Sequence, residues 1–404
     1  MIHSFSCKNF YSFKDKAVVD FVVNEHAPKS NGFFKDKSNT RLSKAETIIG
    51  SNASGKTNLL KVLPFMKWLV SSSFNLDPLA SIPVRPFKFG GYSEKPTELS
   101  AEFEIKGLVY LYKIKLNSEM VLFEELLYKS RSKEKVTYKT AFLREWDNTN
   151  LLYKFNGKHF KFPRGFEKAL RKNASVIGSA IRLNHRPSQE IADFWNHIET
   201  NVIEAGWIGD YMLPNANFVF FETLSFFCDN NVLKKEAEKL LSNFDLGLDS
   251  FEINKDKKND GSTSIEAKVA HIFNGEKQYV DIKYESSGTR QLFVLLKTVL
   301  QVLNNGGVAV LDEIDVNLHP EIVMSLLDLF LQPETNPKNA QLVFSTHSHL
   351  VLSKVNKYQI TLVEKNINGI SESWRLDEMS GVRSDDNYYL KYIAGAYGAF
   401  PNIN

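Results

Sequence analysis

The sequence predicts an α/β protein with a mixed central sheet, an antiparallel β subdomain and a largely helical insertion. Short apolar strands alternate with helical patterns at both ends of the chain, and a glycine-rich loop lies between a strand and a helix near the start. Between these ends, the pattern changes first to alternating polar and apolar residues and then to helical spacing. We therefore divide the chain into segments 1–70, 71–270 and 271–404.

The composition is that of a globular protein. The 404 residues are 43% hydrophobic and 12% aromatic, and the net charge of only +3 does not decide the partner. Cys7 and Cys228 are far apart and lie outside any metal-ligand spacing, so we expect neither a disulfide framework nor a zinc site. The start MIHSFSCKNF has no secretory character, and no apolar run approaches the roughly 20 residues of a membrane helix. We expect a cytoplasmic protein without a membrane span.

The first segment predicts three strands and a helix. Strands are expected over Ile2–Phe10 and Ala17–Val23, and the polar stretch Asn24–Ser43 predicts an exposed loop. A short strand over Glu46–Ile49 leads into the glycine-rich loop. Helical spacing follows, and Pro64 inside it predicts a kink or an end of the helix.

Strands and helices continue through the other two segments. The middle segment predicts strands over Leu99–Ile105, Val109–Leu116, Ser250–Asn254 and Ser264–Phe273, and helices over Gln189–Ile198 and Val232–Leu241. The last segment predicts strands over Val280–Tyr284, Gly307–Leu311, Gln341–Ser345 and Gln359–Glu364, and helices over Arg290–Leu303 and His319–Leu331. No sustained heptads indicate a coiled-coil arm.

The glycine-rich loop has the spacing of a phosphate-binding loop. It fits GxxxxGK followed by Thr and lies between a predicted strand and a predicted helix, which is the context that such a loop requires. Backbone N–H groups would surround a phosphate, Lys56 would reach the β and γ phosphates of ATP, and Thr57 would ligate Mg²⁺. A glycine-rich turn is the alternative for the motif alone. The predicted nucleotide-binding residues are Gly50, Ser51, Asn52, Ala53, Ser54, Gly55, Lys56, Thr57 and the adjoining Asn58.

Two carboxylates follow the apolar strand that ends at Leu311. Asp312 would associate with Mg²⁺ beside the phosphate loop. Glu313 points the other way from the strand end and would polarise the attacking water as a general base. A solvated strand end is the alternative for this pair taken alone, and the preceding phosphate loop favours the paired roles.

Three further motifs lie near these carboxylates. Glu285–Thr289, with the sequence ESSGT, precedes a helix and by itself fits an ordinary helix cap. Asp315 begins the sequence DVNLHP, and His347 lies in FSTHSHL. A loop imidazole without a ligand is the alternative for His347 and for the neighbouring His349.

These motifs, in this order and with a long segment after the first, resemble the RloA-type and OLD-like AAA family ATPases, which belong with SMC and RecF proteins among the ABC-type enzymes. The resemblance also covers NFYSF at residues 9–13 and YLKYIAGAYGAFPNI at residues 389–403. It implies an ABC-type P-loop NTPase fold that binds ATP and Mg²⁺. It further implies that two copies of the chain form each hydrolytic site.

The resemblance gives roles to the remaining motif residues. The signature loop of such enzymes engages the γ-phosphate bound to the opposite subunit, and here it would comprise Ser286, Ser287 and Gly288. Asp315 resembles the D-loop aspartate that joins the two sites, and His347 resembles the switch histidine that contacts the γ-phosphate. We choose His347 over His349, which makes Lys56, Glu313 and His347 the predicted catalytic residues.

Two departures from the family pattern shape the expected function. No glutamine lies between Thr57 and Ser130, so the glutamine that contacts magnesium in many ABC enzymes has no candidate there. The 57 residues after His347 leave no room for the TOPRIM nuclease domain of OLD proteins. We expect a homodimer or higher homo-oligomer that controls a separately encoded toxic effector, such as a nuclease, in an anti-phage abortive-infection system.

Direct DNA binding by a RecF- or SMC-like repair ATPase is the alternative function. A cluster at Lys158–Lys172 has a net charge of +5 and would suit DNA phosphates. The same cluster also fits a solvated helix face or a docking patch for an acidic partner. A scaffold that binds ATP with little turnover is a third alternative.

Overall fold

The computed structural model of the chain describes residues 1–131, 136–202, 216–244, 247–257 and 263–400. Its strands form one six-stranded sheet, one seven-stranded sheet and two smaller sheets. Parts of the predicted segment 71–270, and residues 401–403 of the closing motif, lie outside the described residues.

The strands of the first half are β1 (Ile2–Lys8), β2 (Ala17–Asp20), β3 (Phe33–Lys35), β4 (Arg41–Ser43), β5 (Ala45–Ile49), β6 (Thr97–Ile105), β7 (Leu108–Leu116), β8 (Val121–Arg131), β9 (Val136–Asp147) and β10 (Leu152–Asn156). Those of the second half are β11 (Ile198–Thr200), β12 (Leu248–Lys257), β13 (Thr263–Phe273), β14 (Glu276–Asp281), β15 (Val308–Leu311), β16 (Gln341–Ser345), β17 (Ile360–Lys365) and β18 (Ser371–Arg375). The α-helices are α1 (Lys56–Leu60), α2 (Val62–Ser71), α3 (Val176–Ile181), α4 (Arg186–Asn196), α5 (Ala216–Asp229), α6 (Asn231–Asn243), α7 (Ser287–Asn305), α8 (Pro320–Leu331) and α9 (Tyr388–Ile393).

The six-stranded sheet has the order β11-β15-β16-β5-β17-β18, and only its edge strand β18 is antiparallel to its neighbour. Strands β5, β15 and β16 are buried along their whole length. Successive residues of a strand point to opposite faces, so Val308 and Val310 join one hydrophobic core while Ala309 and Leu311 join the other. Burial on both faces explains why β15 is apolar throughout rather than alternating, while β5 and β16 each also carry two buried polar residues. The predicted mixed α/β sheet is confirmed.

The seven-stranded sheet is antiparallel, with the order β10-β9-β8-β7-β6-β1-β2. Its strands come from both sides of residue 70, because β1 and β2 extend the sheet formed by β6–β10. One face packs against helices α2, α3 and α4 in a core that contains Phe103 and Trp195. A buried ion pair between Glu124 and Arg144 lies within this part of the molecule.

A smaller three-stranded sheet, β12-β13-β14, contacts the helices α5 and α6, which in turn pack against α7. Phe227, Phe251 and Phe293 meet there, with ring centroids 5.0–5.6 Å apart. Aromatic packing of this kind joins the helical part of segment 71–270 to the helix that follows the ESSGT motif.

Three predicted elements need correction. The polar stretch Asn24–Ser43 contains the short hairpin β3-β4 instead of being a loop throughout. The strand predicted over Val280–Tyr284 lies earlier, over Glu276–Asp281, and is followed by a turn of 3₁₀-helix. Helix α7 begins at Ser287 instead of Arg290, because the Ser286 hydroxyl accepts the Thr289 N–H and caps the helix.

The helix after the glycine-rich loop is interrupted near Pro64, as predicted. Helix α1 ends at Leu60 and helix α2 begins at Val62, with Lys61 between them. Proline has no N–H to donate to the carbonyl four residues earlier, and its ring crowds that carbonyl, which here belongs to Leu60. Among the residues that the structure describes, no helix has both the length and the apolar character needed to cross a bilayer.

Candidate functional site

The carboxyl ends of the parallel strands meet at one edge of the six-stranded sheet. The glycine-rich loop follows β5, the two carboxylates follow β15, and His347 comes two residues after β16. A cavity of about 420 Å³ opens at this edge. Its walls are formed by Asn52, Ala53, Ser54, Gly55, Lys56, Thr57, Asn58, Glu313, His347 and Lys365. Three motifs that are far apart in the sequence therefore face one space.

The glycine-rich loop is held by side chains beneath it. Ser371 donates its hydroxyl to the Ser54 carbonyl (2.5 Å), and its Oγ lies at hydrogen-bond distance, 2.8 Å, from the Ser12 hydroxyl. Asn58 donates its side-chain N–H to the same Ser12 hydroxyl at 2.9 Å. Gly55 has φ 118°, and a Cβ at this position would lie 2.5 Å from the Ser371 hydroxyl. A glycine is therefore required here by both the backbone angle and the space.

The side chain of Lys56 folds back toward the start of the glycine-rich loop. Its Nζ donates to the carbonyls of Gly50 (2.9 Å) and Ser51 (3.0 Å). Burial lowers the pKa of Lys56, and the nearby carboxylates of Asp312 and Glu313 oppose this effect. A bound phosphate would add negative charge around the ammonium group and would take the place of these carbonyl contacts. The role of Lys56 toward the phosphates stays a prediction.

Asp312 is fixed on three sides. Its backbone N–H donates to Oδ1 of Asn201 (2.7 Å), and its carbonyl accepts from Nδ2 of Asn201 (2.9 Å). The Ser345 hydroxyl donates to Oδ1 of Asp312 at 2.5 Å. The second carboxylate oxygen of Asp312 has no hydrogen-bond partner among the described residues, and it is available as a metal ligand.

Glu313 adopts a left-handed backbone conformation with φ 46°. Its N–H donates to the Ser345 hydroxyl (2.8 Å), and its side chain is half-exposed in the cavity. Oε1 lies 3.7 Å from Nε2 of His347. Non-glycine residues with positive φ are uncommon, and they concentrate at functional sites when surrounding bonds hold them. The arrangement presents the Glu313 carboxylate and the His347 imidazole to the same side of the cavity.

His347 and His349 have different surroundings. The backbone N–H of His347 donates to both carboxylate oxygens of Asp315 at 3.1 Å. The imidazole ring of His347 lines the cavity. The ring of His349 packs against Tyr392, with centroids 4.9 Å apart, and burial lowers its pKa. Within one chain, Asp315 thus positions the loop that carries His347.

The ESSGT motif is a helix cap in this chain and does not line the cavity. Ser286 accepts the Thr289 N–H at 3.0 Å, while Ser287 is exposed at the helix start. A Cβ on Gly288 would lie 2.5 Å from the Asn317 carbonyl, so glycine is needed where α7 passes the loop after Asp315. The capping alternative is therefore confirmed for Ser286. The γ-phosphate contact stays a prediction that needs a second copy of the chain.

Three residues near the site were missed by sequence reasoning. Lys365 ends β17 and lines the cavity beside the glycine-rich loop. Asn201 and Ser345 fix Asp312. Lys365 and Ser345 end strands that pair with β5, so their strand-end positions were a usable signal. The sequence has no glutamine between Thr57 and Ser130, and the side-chain amide that the structure places next to Asp312 belongs to Asn201.

The basic cluster at Lys158–Lys172 is partly used inside the fold. Arg171 donates to the carbonyls of Phe74 and Leu76, and Lys172 lies over the ring of Trp146. Lys172 is nevertheless exposed, as are Lys158, Lys161, Arg164 and Lys168, so Arg171 is the one cation of the cluster that is partly buried. This distribution leaves a smaller free charge than the sequence count of the cluster indicated.

The donor set at this edge suits Mg²⁺. Magnesium takes oxygen ligands and commonly binds through one or two protein oxygens together with substrate phosphates. Asp312 offers a free carboxylate oxygen and Thr57 a hydroxyl at the cavity wall. A strand, a phosphate-binding loop and a helix, with a second strand that delivers a carboxylate beside them, define a P-loop NTPase.

Comparison with known proteins gives the family. A family model described as "AAA domain, putative AbiEii toxin, Type IV TA system" matches residues 47–353, which is well over half of the chain. The chain belongs to this AAA-domain family.

One relative and two solved structures are similar to parts of the chain or to its fold. The "Retron Vc95 probable ATPase" of Vibrio cholerae serotype O1 biovar El Tor is 28% identical over 135 residues, which is 33% of this chain and only 25% of that protein. An SMC head bound to the C-terminal winged-helix domain of ScpA has a TM-score of 0.49 at 16% identity and covers 93% of this chain and 99% of its own. The SMC head domain from Thermotoga maritima has a TM-score of 0.40 at 14% identity, with 93% and 98% covered.

Proposed function

We propose that the chain is an ATPase that binds Mg²⁺ and ATP at residues 50–58 and hydrolyses the γ-phosphate bond in sites shared by two copies. The observation that carries this proposal is the convergence of the glycine-rich loop, Glu313 and His347 on one cavity. Asp312 and Thr57 would hold magnesium, which would neutralise charge on the phosphates. Residues of the protein bind the phosphates, accept the proton from the attacking water and orient the attack.

Each residue has a distinct role in this proposal. Backbone N–H groups of the loop bind the phosphates, and Lys56 turns from the carbonyls of Gly50 and Ser51 to the β and γ oxygens. The Glu313 carboxylate accepts a proton from the attacking water. His347 lies 3.7 Å from that carboxylate and contacts the γ-phosphate, so its imidazole helps to orient the attack.

The proposal of a shared site is supported by the position of Ser286, Ser287 and Gly288, which are not among the residues that line the cavity of their own chain. In the proposed dimer, this signature loop and the N-terminus of α7 face the γ-phosphate of the opposite subunit, and the two D-loops, each with Asp315, lie between the sites. The first turn of a helix favours an anion, which supports this role. ATP would join the two copies, and hydrolysis would release them.

For the biological role, we propose an RloA-type or OLD-like sensor and regulator in an abortive-infection system. The membership of the AAA-domain family and the likeness to a retron ATPase support a defence function. The proposed assembly is a cytoplasmic homodimer or higher homo-oligomer that controls a separately encoded effector, a toxin or nuclease. Segments 1–70, 71–270 and 271–404 remain our proposed division, with ATPase parts on both sides of the β subdomain and helical insertion.

Phosphate release tests the chemistry. The wild-type chain is expected to hydrolyse ATP when Mg²⁺ is present, and Glu313→Gln is expected to bind ATP but to hydrolyse it at least about 100-fold more slowly. Glu276→Gln, at an exposed strand end, is the matched control and should match wild type. The absence of wild-type turnover would favour the scaffold alternative over an ATPase.

Phage plating tests the biological role. A strain that carries the natural operon should restrict phage, and the Glu313→Gln chain in the same operon should change that restriction. Equal plating with and without the operon would exclude the defence role and leave the ATPase assignment standing.

A further inference from the structure

Asn201 makes an unusual contact with the residue proposed to bind magnesium. Its one side chain bonds to both backbone groups of Asp312, accepting the N–H at 2.7 Å and donating to the carbonyl at 2.9 Å. The two residues are 111 positions apart in the sequence. Both polar atoms of the Asn201 amide are therefore used on a single residue.

The position of this contact explains its form. Strand β11 pairs in parallel with β15 up to Thr200, which lies opposite Val310. The side-chain amide of Asn201 then bonds the backbone of the first residue beyond β15, as a further peptide group of the ladder would do. A side-chain amide carries its donor nitrogen and its acceptor oxygen on separate atoms in nearly the geometry of a peptide, whereas a carboxylate only accepts and a hydroxyl donates and accepts through one atom. The sheet is thus extended by one residue, and that residue is Asp312.

Strand β11, which Asn201 directly follows, is itself fixed to helices α2 and α7. Lys67 of α2, the helix that follows the phosphate-binding loop, donates to the Ile198 carbonyl at 2.5 Å. Gln301 of α7, the helix that follows the signature loop, donates to Glu199 at 2.8 Å. Through Asn201, the backbone of Asp312 is therefore held in a fixed position relative to helices α2 and α7.

Asn201 bonds only the backbone of Asp312, and Ser345 fixes the Asp312 side chain. Its hydroxyl donates to Oδ1 of Asp312 and accepts the N–H of Glu313 at 2.8 Å. With Asn201 on the backbone and Ser345 on one carboxylate oxygen, the other oxygen of Asp312 has a defined direction. Contacts of this kind orient a metal ligand, and their loss typically lowers metal affinity or activity about 10- to 100-fold.

We propose that Asn201 is a positioning residue that aims the Asp312 carboxylate at Mg²⁺, so that it controls magnesium affinity at the site without touching nucleotide or metal. This rests on the proposed function, because it assigns a role in Mg²⁺ and ATP binding. The loss of the Asn201 amide frees the Asp312 backbone while the phosphate-binding loop, which forms separate contacts, stays in place.

The test measures nucleotide binding with a fluorescent ATP analogue, first in EDTA and then during a Mg²⁺ titration. Asn201→Ala is expected to raise the Mg²⁺ concentration for half-maximal enhancement about tenfold or more, the size seen when an outer-shell partner of a metal ligand is lost. Binding in EDTA should stay within about twofold of wild type, because the loop is unchanged. Asn201→Ser, whose hydroxyl replaces only one of the two bonds, should lie between wild type and Asn201→Ala.

Asn304→Ala is the matched control, since it removes an exposed side-chain amide at the end of α7 that bonds Asn305 rather than β11 or Asp312, and its Mg²⁺ dependence should equal that of wild type. If Asn201→Ala does not fold, a wild-type-like Mg²⁺ requirement in Asn201→Ser refutes the proposal. A requirement in folded Asn201→Ala within twofold of wild type, or an equal loss of binding with and without Mg²⁺, also refutes it. A wild-type chain that shows no Mg²⁺-dependent nucleotide binding refutes the proposed function itself.

Discussion

The buried ion pair between Glu124 and Arg144 gives a prediction whose size follows from the structure. Both side chains are 0% exposed. Glu124 also accepts the Tyr112 hydroxyl at 2.7 Å and the Val176 N–H at 2.8 and 3.0 Å, so its carboxylate connects β7, β8, β9 and the start of α3. Glu124→Ala would leave the guanidinium group without its counter-charge and would leave two donors unpaired.

Breaking a buried pair from one side costs about 3–5 kcal/mol. Arg144 keeps bonds to the carbonyls of Arg171 and Ala174, at 2.9 and 2.8 Å, which places the loss toward the lower end, near 3 kcal/mol. The free energy of unfolding from urea titrations, followed by tryptophan fluorescence, measures it. The exposed pair Glu98–Lys115, at 46% and 44% exposure, supplies the control, because Glu98→Ala should cost less than about 1 kcal/mol. A loss below about 1 kcal/mol for Glu124→Ala would refute the reasoning.

Three further predictions follow from single positions. Lys56→Ala should weaken ATP binding at least about tenfold in a fluorescence titration, since each phosphate bond to a charged group contributes about 1.5–3 kcal/mol, and unchanged affinity would contradict the role of Lys56. Gly288→Ala should reduce hydrolysis but not ATP binding, because the new Cβ would lie 2.5 Å from the Asn317 carbonyl, and equal turnover would contradict that close approach. Burial raises the pKa of Glu46 well above its ordinary value of 4.5, against the attraction of Arg375, so the folded chain retains a proton that the unfolded chain loses. Stability then falls as pH rises above about 4.5, by about 1.4 kcal/mol per pH unit until the folded pKa is reached. Glu46→Gln should accordingly raise the melting temperature at pH 8 more than at pH 5, and equal shifts at both would contradict this sign.

The parts of the site that short sequence motifs encode could be predicted. A phosphate-binding loop needs its glycines and lysine at fixed spacing, and buried parallel strands such as β15 and β16 are short apolar runs that end in polar residues. Because such strands end at one edge of the sheet, Asp312, Glu313 and His347 were predicted to act together, and the structure places them at one edge. Local patterns carried this information without knowledge of the fold.

Other contacts could not be predicted because they depend on strand order. Asn201 reaches Asp312 only because β11 lies beside β15, and nothing in the sequence around Ile198–Thr200 indicates that neighbour. A three-residue strand gives too little periodicity to be recognised. The shift of β14 has a similar cause, since most of its residues are exposed and it has no apolar face to detect.

The ESSGT motif shows how one sequence can carry two roles. Ser286 was expected either to cap α7 or to belong to a signature loop, and the structure of one chain shows the cap. Capping directs the N-terminus of α7 outward and leaves Ser287 exposed, which is compatible with a phosphate on another subunit. A single chain therefore tests only the first of the two roles.

The most direct test of the shared ATPase site is the mass of Glu313→Gln in the presence of Mg²⁺ and ATP. Sedimentation velocity should show that ATP converts this variant into a stable dimer or larger assembly, while ADP does not, because bound ATP joins two copies and hydrolysis no longer releases them. Adding Ser287→Arg, which places a bulky side chain at the exposed start of α7, should abolish this assembly while ATP binding persists. If Glu313→Gln binds ATP but keeps the same mass with ATP as with ADP, the sites are not shared between copies, and the account of a composite ATPase is wrong.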